Sequence, residues 1–197
     1  LDLDIYKKFP EAGTILSNAL GNQFDQLQLQ FETDISRTLR VIDYEDTQIE
    51  VSLDIGQIRT QDAKQEVHEV EFELKNGSIQ HLLAFSFEWV KKYQLWLDVR
   101  SKAEMGNLLA LEQTVSPARF EKEFVLSKKE SAAHNLSLLI GQQMQHLLPN
   151  IAAISAGVAE QSHIDQAQTA LEHLQLTLAL FKDWNSNISD KWAMQLA

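Results

Sequence analysis

Charged and apolar residues alternate with a period of two in Glu69-Val-Glu-Phe-Glu-Leu-Lys75. This is the period of a β-strand, whose successive side chains point to opposite faces of a sheet. One face of the predicted strand therefore carries Glu69, Glu71, Glu73 and Lys75. Neighbouring carboxylates repel one another unless cations lie among them, and their oxygens are ligands that Mg²⁺ and Mn²⁺ prefer. The column is a candidate metal site, although the solvated face of a half-buried strand is the simpler interpretation.

The same kind of pattern predicts the other elements of the N-terminal region. A helix is expected between Pro10 and Gly21, because proline is favoured at the first helical position and glycine just after the last. A turn at Asn76-Gly77-Ser78 precedes an amphipathic helix marked by Leu82, Phe85, Trp89 and Val90. Strands are expected over residues 27–31, 35–44, 48–55, 66–75 and 95–102, with a hairpin around Glu45-Asp46. This region is expected to be α+β with a mostly antiparallel sheet.

The pattern becomes helical after about Pro117. Ser127 and Glu130 have the spacing of a capping box before a helix that carries Ala133, Leu136, Ile140 and Leu147. Further helices are expected from near Pro149 through Val158 and from near Ser162, where Ser162 and Asp165 also have capping-box spacing. The prediction is a helical hairpin or partial bundle over residues 116–197, following an α+β region over residues 1–115.

Composition restricts the classes of function. The 197 residues include 44% hydrophobic side chains, enough for a real core, and no cysteine, which excludes disulfides and thiolate metal sites. A formal charge of −11 argues against nucleic acid or an anionic membrane as a partner. No apolar run has the length of a membrane span and no signal pattern is present, so a soluble cytoplasmic protein is expected.

Four motifs together resemble the later half of a CYTH domain, the catalytic module of the triphosphate tunnel metalloenzymes. They follow the family's order over about residues 10 to 110. The motifs are Phe31-Glu-Thr-Asp-Ile-Ser-Arg37, Ile49-Glu-Val-Ser-Leu-Asp54-Ile-Gly56, Glu69-Val-Glu-Phe-Glu-Leu-Lys75 followed by Gly77, and Ser101-Lys102-Ala-Glu-Met-Gly106. The resemblance implies an antiparallel sheet that forms part of a tunnel barrel, and hydrolysis of inorganic triphosphate or a related triphosphate.

The resemblance also implies roles for particular residues. Metal ligation by one or two Mg²⁺ or Mn²⁺ ions is expected at Glu69, Glu71 and Glu73. Arg37 and Lys102, each on an adjacent strand, are expected to contact phosphate oxygens and act in catalysis. Arg59 and Lys75 are further candidates for substrate binding, while Glu50 and Asp54 are secondary candidates that would orient a metal or balance the basic groups. Each of these side chains alone would ordinarily be a surface charge or a turn residue.

The resemblance leaves part of the tunnel to be supplied. A CYTH domain opens with a strand bearing an E-x-E-x-K motif and continues with strands rich in arginine and lysine. The 197 residues of this sequence contain no counterpart of those strands. The expectation is that a preceding segment or another chain supplies those strands. Open sheet edges without them would favour self-association.

The helical region resembles a CHAD domain, a helical module associated with polyphosphate. The resemblance lies in residues 166–181, which match a family helix of the form Q-x-R-V-A-L-R-R-L-R ending in phenylalanine. Every arginine of that helix is replaced here, by Gln168, Glu172, His173 and Gln175. Neutral and acidic groups cannot neutralise phosphate as arginine does, so this region is expected to have kept the packing and lost the polyanion site.

Other candidates for chemistry are weaker. His134, His146, His163 and His173 lack the close pairing of a zinc site and are expected to be structural. The leading hypothesis is a triphosphatase, although family members also include thiamine triphosphatases, RNA triphosphatases and class IV adenylate cyclases. The alternatives are a non-catalytic module that binds triphosphate or polyphosphate, and a scaffold for protein association.

Overall fold

The computed structural model describes residues 8–21 and 27–182, which form an α+β fold. Its elements in chain order are α1 (Pro10–Leu20), β1 (Glu32–Tyr44), β2 (Thr47–Arg59), β3 (Lys64–Asn76), α2 (Ile79–Tyr93), α3 (Lys102–Ala110), α4 (Ala132–Ser155) and α5 (Gln161–Leu180). The predicted first helix is confirmed, with proline at its first position and Gly21 at its C-cap.

The three strands form one antiparallel sheet in the order β1-β2-β3. The predicted hairpin around Glu45 and Asp46 is confirmed, with Tyr44 paired to Thr47. Glu45 has φ of 53°, a left-handed conformation typical of a tight hairpin turn. Within the described residues the sheet is open, so the tunnel barrel implied by the resemblance is not seen in this part of the chain.

Helix α2 covers one face of the sheet at the end nearest this hairpin. Phe85 and Trp89 pack edge-on against Phe72 of β3, with ring centroids 5.5 and 5.4 Å apart. These rings join the buried Ile49 and Val51 of β2 in one apolar cluster. Burying large aromatic side chains in this geometry contributes both apolar area and favourable ring contacts. The predicted turn and amphipathic helix are therefore confirmed.

Helix α3 covers the opposite face of the sheet at the other end. Met105 packs with Ile58 and Val67, and Phe31 contributes to the same cluster. Gly106 lets the helix approach closely, because a Cβ atom there would lie 2.3 Å from the Phe31 ring. The carboxylate column lies on this second face, beside the start of α3.

Two predicted strands are wrong. Residues 27–31 are irregular, and the Phe31 side chain packs under α3. Residues 95–101 are also irregular, and Lys102 begins a helix. Ser101 caps that helix by accepting a hydrogen bond from the Glu104 backbone N–H. The Ser-x-x-Glu spacing therefore determined the local structure more strongly than the short apolar alternation before it.

The predicted helical hairpin is present, but its first helix and its N-caps differ from the prediction. One helix, α4, replaces the two expected helices and contains Pro149 in its interior. Its cap is Ser131, whose hydroxyl oxygen accepts a hydrogen bond from the His134 N–H, rather than Ser127. The Ser127 N–H and C=O are instead both bound by the Asn135 side chain. Helix α5 begins at Gln161, in agreement with the start predicted near Ser162, but its capping box is formed by Glu160 and His163 rather than by Ser162 and Asp165.

Small residues of α5 lie against α4 in the hairpin core. Ala167 and Ala170 are buried with Leu147 and Leu174 in one cluster. Small side chains at a helix contact allow a short interhelical distance. A buried hydrogen bond of 2.7 Å from Gln143 Nε2 to Thr177 Oγ1 also joins the two helices.

Candidate metal and phosphate site

Strand register brings three carboxylates together on the face covered in part by α3. Asp54 of β2 is paired directly with Glu69 of β3, and Glu71 follows two residues later on the same face. One oxygen from each of these carboxylates lies within 4.8 Å of the others. Asp54 is only 1% exposed, while Glu69 and Glu71 are progressively more open to solvent. We call Asp54, Glu69 and Glu71 the acidic triad.

Arg37 of β1 holds the triad from one side. Its Nε and Nη2 atoms each donate to one oxygen of Asp54 at 2.6 Å, and Nη2 also donates to Glu71 Oε2 at 2.8 Å. The planar guanidinium matches the carboxylate in this bidentate geometry, which a lysine could not reproduce. Since Arg37 is paired with Asp54 across β1 and β2, the sheet register itself sets this contact.

Lys102 holds the triad from the other side. Its Nζ atom lies 2.7 Å from Asp54 Oδ2 and 3.2 Å from Glu71 Oε1, and it also donates to Glu69. The expectation that Lys102 lies on an adjacent strand is wrong, since it is the first residue of α3. The Ser101 cap and the packing of Met105 on the sheet place its side chain over the acidic triad.

The ion pairs and partial burial shift the pKa values of these groups. The hydrogen bonds from Arg37, helped by Lys102 and opposed by burial, lower the pKa of Asp54 to about 2. Burial and the adjacent Glu71 raise the pKa of Glu69, whereas for Glu71 the effect of burial is outweighed by Lys102 and Arg37, which lower its pKa. Burial disfavours the charged ammonium of Lys102, but its three carboxylate partners raise its pKa.

The remaining predicted site residues lie outside the acidic triad. Lys75 Nζ is 2.9 Å from Glu50 Oε2 and 3.2 Å from Glu73 Oε1, so these three residues form a second ion-paired group further along the same face. Glu73 is 66% exposed. The structure thus groups Asp54, rather than Glu73, with Glu69 and Glu71.

Arg59 is not brought to this site. Its guanidinium donates to Glu32 at 3.0 and 3.2 Å. Glu32 is the direct cross-strand partner of Arg59. Ile58, the residue before Arg59 on β2, packs under α3. Because neighbouring strand residues point to opposite faces, Arg59 lies on the face away from the acidic triad.

Sequence reasoning gave Asp54 only a secondary role. The alternation around Leu53 and Ile55 predicted that Asp54 lies on the polar face of its strand. The pattern did not give the β2–β3 register, which pairs Asp54 with Glu69. A buried acidic residue is also rare unless it is paired, and its burial depends on Arg37 and Lys102.

The donor set fits a hard divalent cation. Ligand oxygens around Mg²⁺ are separated by about 3–4 Å in octahedral geometry, and the oxygens of the acidic triad already lie within 4.8 Å of one another. Small side-chain rotations of Asp54, Glu69 and Glu71 would bring them to that separation. Three carboxylates against two basic groups leave the cluster with an excess of one negative charge, which also favours a cation.

The chain is similar to the inorganic triphosphatase of Haemophilus influenzae. The two sequences are 32% identical over 108 residues, which cover 54% of this chain and 31% of that protein. The match thus spans about a third of the relative's length. No protein-family model matches the chain. Of the helices in residues 8–21 and 27–182, none combines the length and apolar character required to cross a bilayer.

Proposed function

We propose that this chain forms part of a CYTH-type triphosphatase that hydrolyses inorganic triphosphate with Mg²⁺ or Mn²⁺. The observation that carries the proposal is the acidic triad held between Arg37 and Lys102. In this proposal the acidic triad holds the metal and Arg37 and Lys102 bind phosphate, all on one face of the sheet. The similarity to an inorganic triphosphatase supports the choice of substrate.

The proposed chemistry uses the charges that the fold has placed together. The negative charges of a triphosphate oppose attack by water at phosphorus, so the barrier is lowered chiefly by positioning and by positive charge at the phosphate oxygens. A divalent ion held by Asp54, Glu69 and Glu71 would supply part of that charge. Its arrival would also weaken the hold of these carboxylates on Arg37 and Lys102, whose N–H groups could then donate to phosphate oxygens.

The second charged group extends the proposed substrate-binding face. Lys75 lies on the same side of the sheet as Arg37, with its charge balanced by Glu50 and Glu73. We assign it a supporting role in attracting the substrate. Further basic residues would come from strands that complete the tunnel, supplied by a preceding segment or by another chain.

The helical region has a different role in this proposal. Gln168 donates to Glu172 at 3.0 Å, and His173 Nδ1 lies 3.0 Å from Glu121 Oε1. These local contacts support a CHAD-like helix that has kept its packing and lost its polyanion site. We expect residues 127–197 to show no salt-sensitive retention of long-chain polyphosphate, and tight retention would contradict this assignment.

The open sheet favours one alternative, a non-catalytic module for triphosphate binding or protein association. Leu39 and Val41 are 43% and 55% exposed on the same face as Arg37. Both β1 and β3 also have an edge without a partner strand in the described residues. Such edges favour pairing with another chain, including a second copy.

The experiment that separates these functions is release of phosphate from inorganic triphosphate by the complete protein, with Mg²⁺ or with a chelator. We expect Mg²⁺-dependent release that falls at least tenfold in Lys102→Ala. Lys64→Ala is the matched control, because Lys64 is 69% exposed on the other face and pairs only with Glu66 in the described residues. Binding of triphosphate without release would favour the non-catalytic alternative.

A further inference from the structure

The chain between α3 and α4 is bound to the helical hairpin by two buried polar side chains. His163 of α5 is 2% exposed, and its Nε2 lies 3.0 Å from the Ser116 carbonyl oxygen. Its Nδ1 accepts a hydrogen bond from the Glu160 N–H, so in the neutral ring Nε2 carries the proton and donates to Ser116. Asn150 of α4 is 0% exposed and binds both the N–H and the C=O of Arg119, at 3.0 and 2.9 Å. The backbone around Ser116 is therefore fixed against the hairpin.

The side chain of Ser116 is bound to α3. Its hydroxyl donates to Glu104 Oε1 at 2.6 Å, which is the length of a hydrogen bond to a charged acceptor. The backbone N–H of Glu104 donates to the Ser101 hydroxyl oxygen at 3.1 Å, so the same residue takes part in the cap of the helix. Ser116 thus joins the start of α3, through its hydroxyl, to the helical hairpin, through its carbonyl group.

The geometry of α3 connects this contact with the acidic triad. Lys102 and Met105 are three residues apart, so they share the side of α3 that faces the sheet. Glu104 is two residues after Lys102 and therefore lies on the opposite side of the helix, toward Ser116. The helix is thus held by apolar packing on one side and by a hydrogen bond on the other. Loss of the Ser116 contact would free the first turn of α3 and with it the Lys102 ammonium, which lies 2.7 Å from Asp54 Oδ2.

We propose that the helical hairpin positions Lys102 for catalysis through Ser116 and Glu104. This inference rests on the triphosphatase function proposed above, and it gives the hairpin a role that requires no polyanion site of its own. His163 fixes the Ser116 backbone, and the Ser116 hydroxyl in turn fixes Glu104 in the first turn of α3. Ser116 and Glu104 are positioning residues, since they act through Lys102 rather than on the metal or the substrate.

The first test is hydrogen exchange of the complete protein, read by mass spectrometry on peptides that contain the first turn of α3. Ser116→Ala removes the hydroxyl and keeps the carbonyl group. We expect the amides of that turn to exchange about fivefold faster, which is the order of effect of one lost hydrogen bond on local opening. Ser116→Thr keeps the hydroxyl and should exchange as the wild type does. Gln168→Ala is the matched control, because Gln168 donates to the Glu172 carboxylate on α5, at 3.0 Å, and should leave α3 unchanged.

The second test measures the effect on Lys102 itself. Its ammonium competes with a cation for the acidic triad, so calorimetric titration should show that Ser116→Ala binds Mn²⁺ about twofold more tightly than the wild type. In a Lys102→Ala background, Ser116→Ala should not change the Mn²⁺ affinity further. A role in stability alone would give the same change in both backgrounds. The kcat for phosphate release from inorganic triphosphate should fall about threefold in Ser116→Ala and stay unchanged in Gln168→Ala.

The third test concerns the link to the hairpin. His163→Ala removes the donor to the Ser116 carbonyl oxygen, so exchange in the first turn of α3 should become faster. In a Ser116→Ala background, His163→Ala should have little further effect there, because the hydroxyl that transmits it is absent. His163 also belongs to the capping box of α5, and exchange of α5 peptides shows whether that helix has opened as well.

The outcomes separate this inference from the function on which it rests. Unchanged exchange in the first turn of α3 in Ser116→Ala would overturn the inference. A change in Mn²⁺ affinity that persists in the Lys102→Ala background would also overturn it. Faster exchange in a protein that neither binds Mn²⁺ nor releases phosphate would support the link from the hairpin to α3 and refute the triphosphatase function.

Discussion

The Arg37 guanidinium binds both oxygens of the Asp54 carboxylate, at 2.6 Å each, across the β1–β2 pair. Asp54 is almost fully buried, whereas the Arg37 side chain is 45% exposed. The contact therefore anchors a carboxylate inside the sheet face while the guanidinium stays open to a ligand. Lys102 closes the other side of the same carboxylate at 2.7 Å.

Removing the Asp54 carboxylate should destabilise the fold. In Asp54→Ala, Arg37 and the largely buried ammonium of Lys102 both lose hydrogen-bond acceptors. We expect this loss to lower the free energy of unfolding by about 1–3 kcal/mol. Urea denaturation measures this cost. Asp34→Ala is the control, since Asp34 is 63% exposed and its contact with Arg59 is a weak 3.8 Å. Equal, small effects of both variants would mean that the buried ion pairs do not stabilise the sheet.

The lowered pKa of Asp54 predicts a pH dependence of stability. In the unfolded chain this carboxyl should titrate near its usual value of about 3.9, whereas in the folded protein its pKa is about 2. Its contribution is therefore fully present above pH 4 and is lost as the pH falls from about 4 to about 2. The free-energy difference between wild type and Asp54→Asn, measured by urea denaturation at pH 6, 4, 3 and 2.5, should shrink across this window.

The raised pKa of Glu69 acts with the opposite sign, because a folded state that holds a proton more tightly gains stability as the pH falls through that pKa. Comparing wild type with Asp54→Asn isolates the Asp54 contribution, since Glu69 is present in both proteins. A free-energy difference that stays constant down to pH 2.5 would contradict the assigned direction for Asp54.

The strand periodicity predicted which residues share a face, but not which of them meet. The alternation over residues 66–75 correctly placed Glu69 and Glu71 together, and the strand itself is confirmed over Lys64–Asn76. The identity of the third carboxylate depends on register, which is set by the turn between β2 and β3 and by packing under α3. That information is not local to the Glu69–Lys75 pattern.

The position of Lys102 shows a different limit. Residues 95–102 contain enough apolar and β-branched residues to suggest a strand, yet Ser101 and Glu104 mark the beginning of a helix. A short segment forms a strand only where a neighbouring strand is available to pair with it. No such strand lies beside residues 95–101 in the described part of the chain. At Pro149 the sequence predicted the start of a new helix, but α4 continues through this residue and packs against α5.

Lys102 should have opposite effects on metal binding and on turnover. Its ammonium competes with a cation for all three carboxylates of the acidic triad. Lys102→Ala therefore leaves a more negative cluster, and we expect it to bind Mg²⁺ or Mn²⁺ at least threefold more tightly while hydrolysing triphosphate at least tenfold more slowly. Calorimetric titration with the metal alone and phosphate release provide the two readouts.

Glu71→Ala separates this explanation from a simple loss of structure. It removes a proposed metal ligand, so metal affinity and turnover should both fall at least tenfold. Glu66→Ala is the matched control, because Glu66 is 62% exposed on the other face and pairs with Lys64. Unchanged turnover in both Lys102→Ala and Glu71→Ala would refute the assignment of the active site.

Gly106 and Gly141 are both helical glycines, and their replacement by alanine should have opposite effects. In α3, a Cβ at Gly106 would lie 2.3–2.6 Å from three atoms of the Phe31 ring, so Gly106→Ala should cost about 1–3 kcal/mol through overpacking. In α4, a Cβ at Gly141 meets nothing within 4 Å, and Gly141→Ala should stabilise by about 0.5–1 kcal/mol through helix propensity. Urea denaturation of each variant shows whether the free energy of unfolding rises or falls.

The Phe31 ring is the proposed reason for the cost of Gly106→Ala. That cost should therefore largely disappear in a Phe31→Ala background, and a cost that persists there would contradict this explanation. Because Lys102 begins the same helix, Gly106→Ala should also lower triphosphate turnover, whereas Gly141→Ala should leave it unchanged.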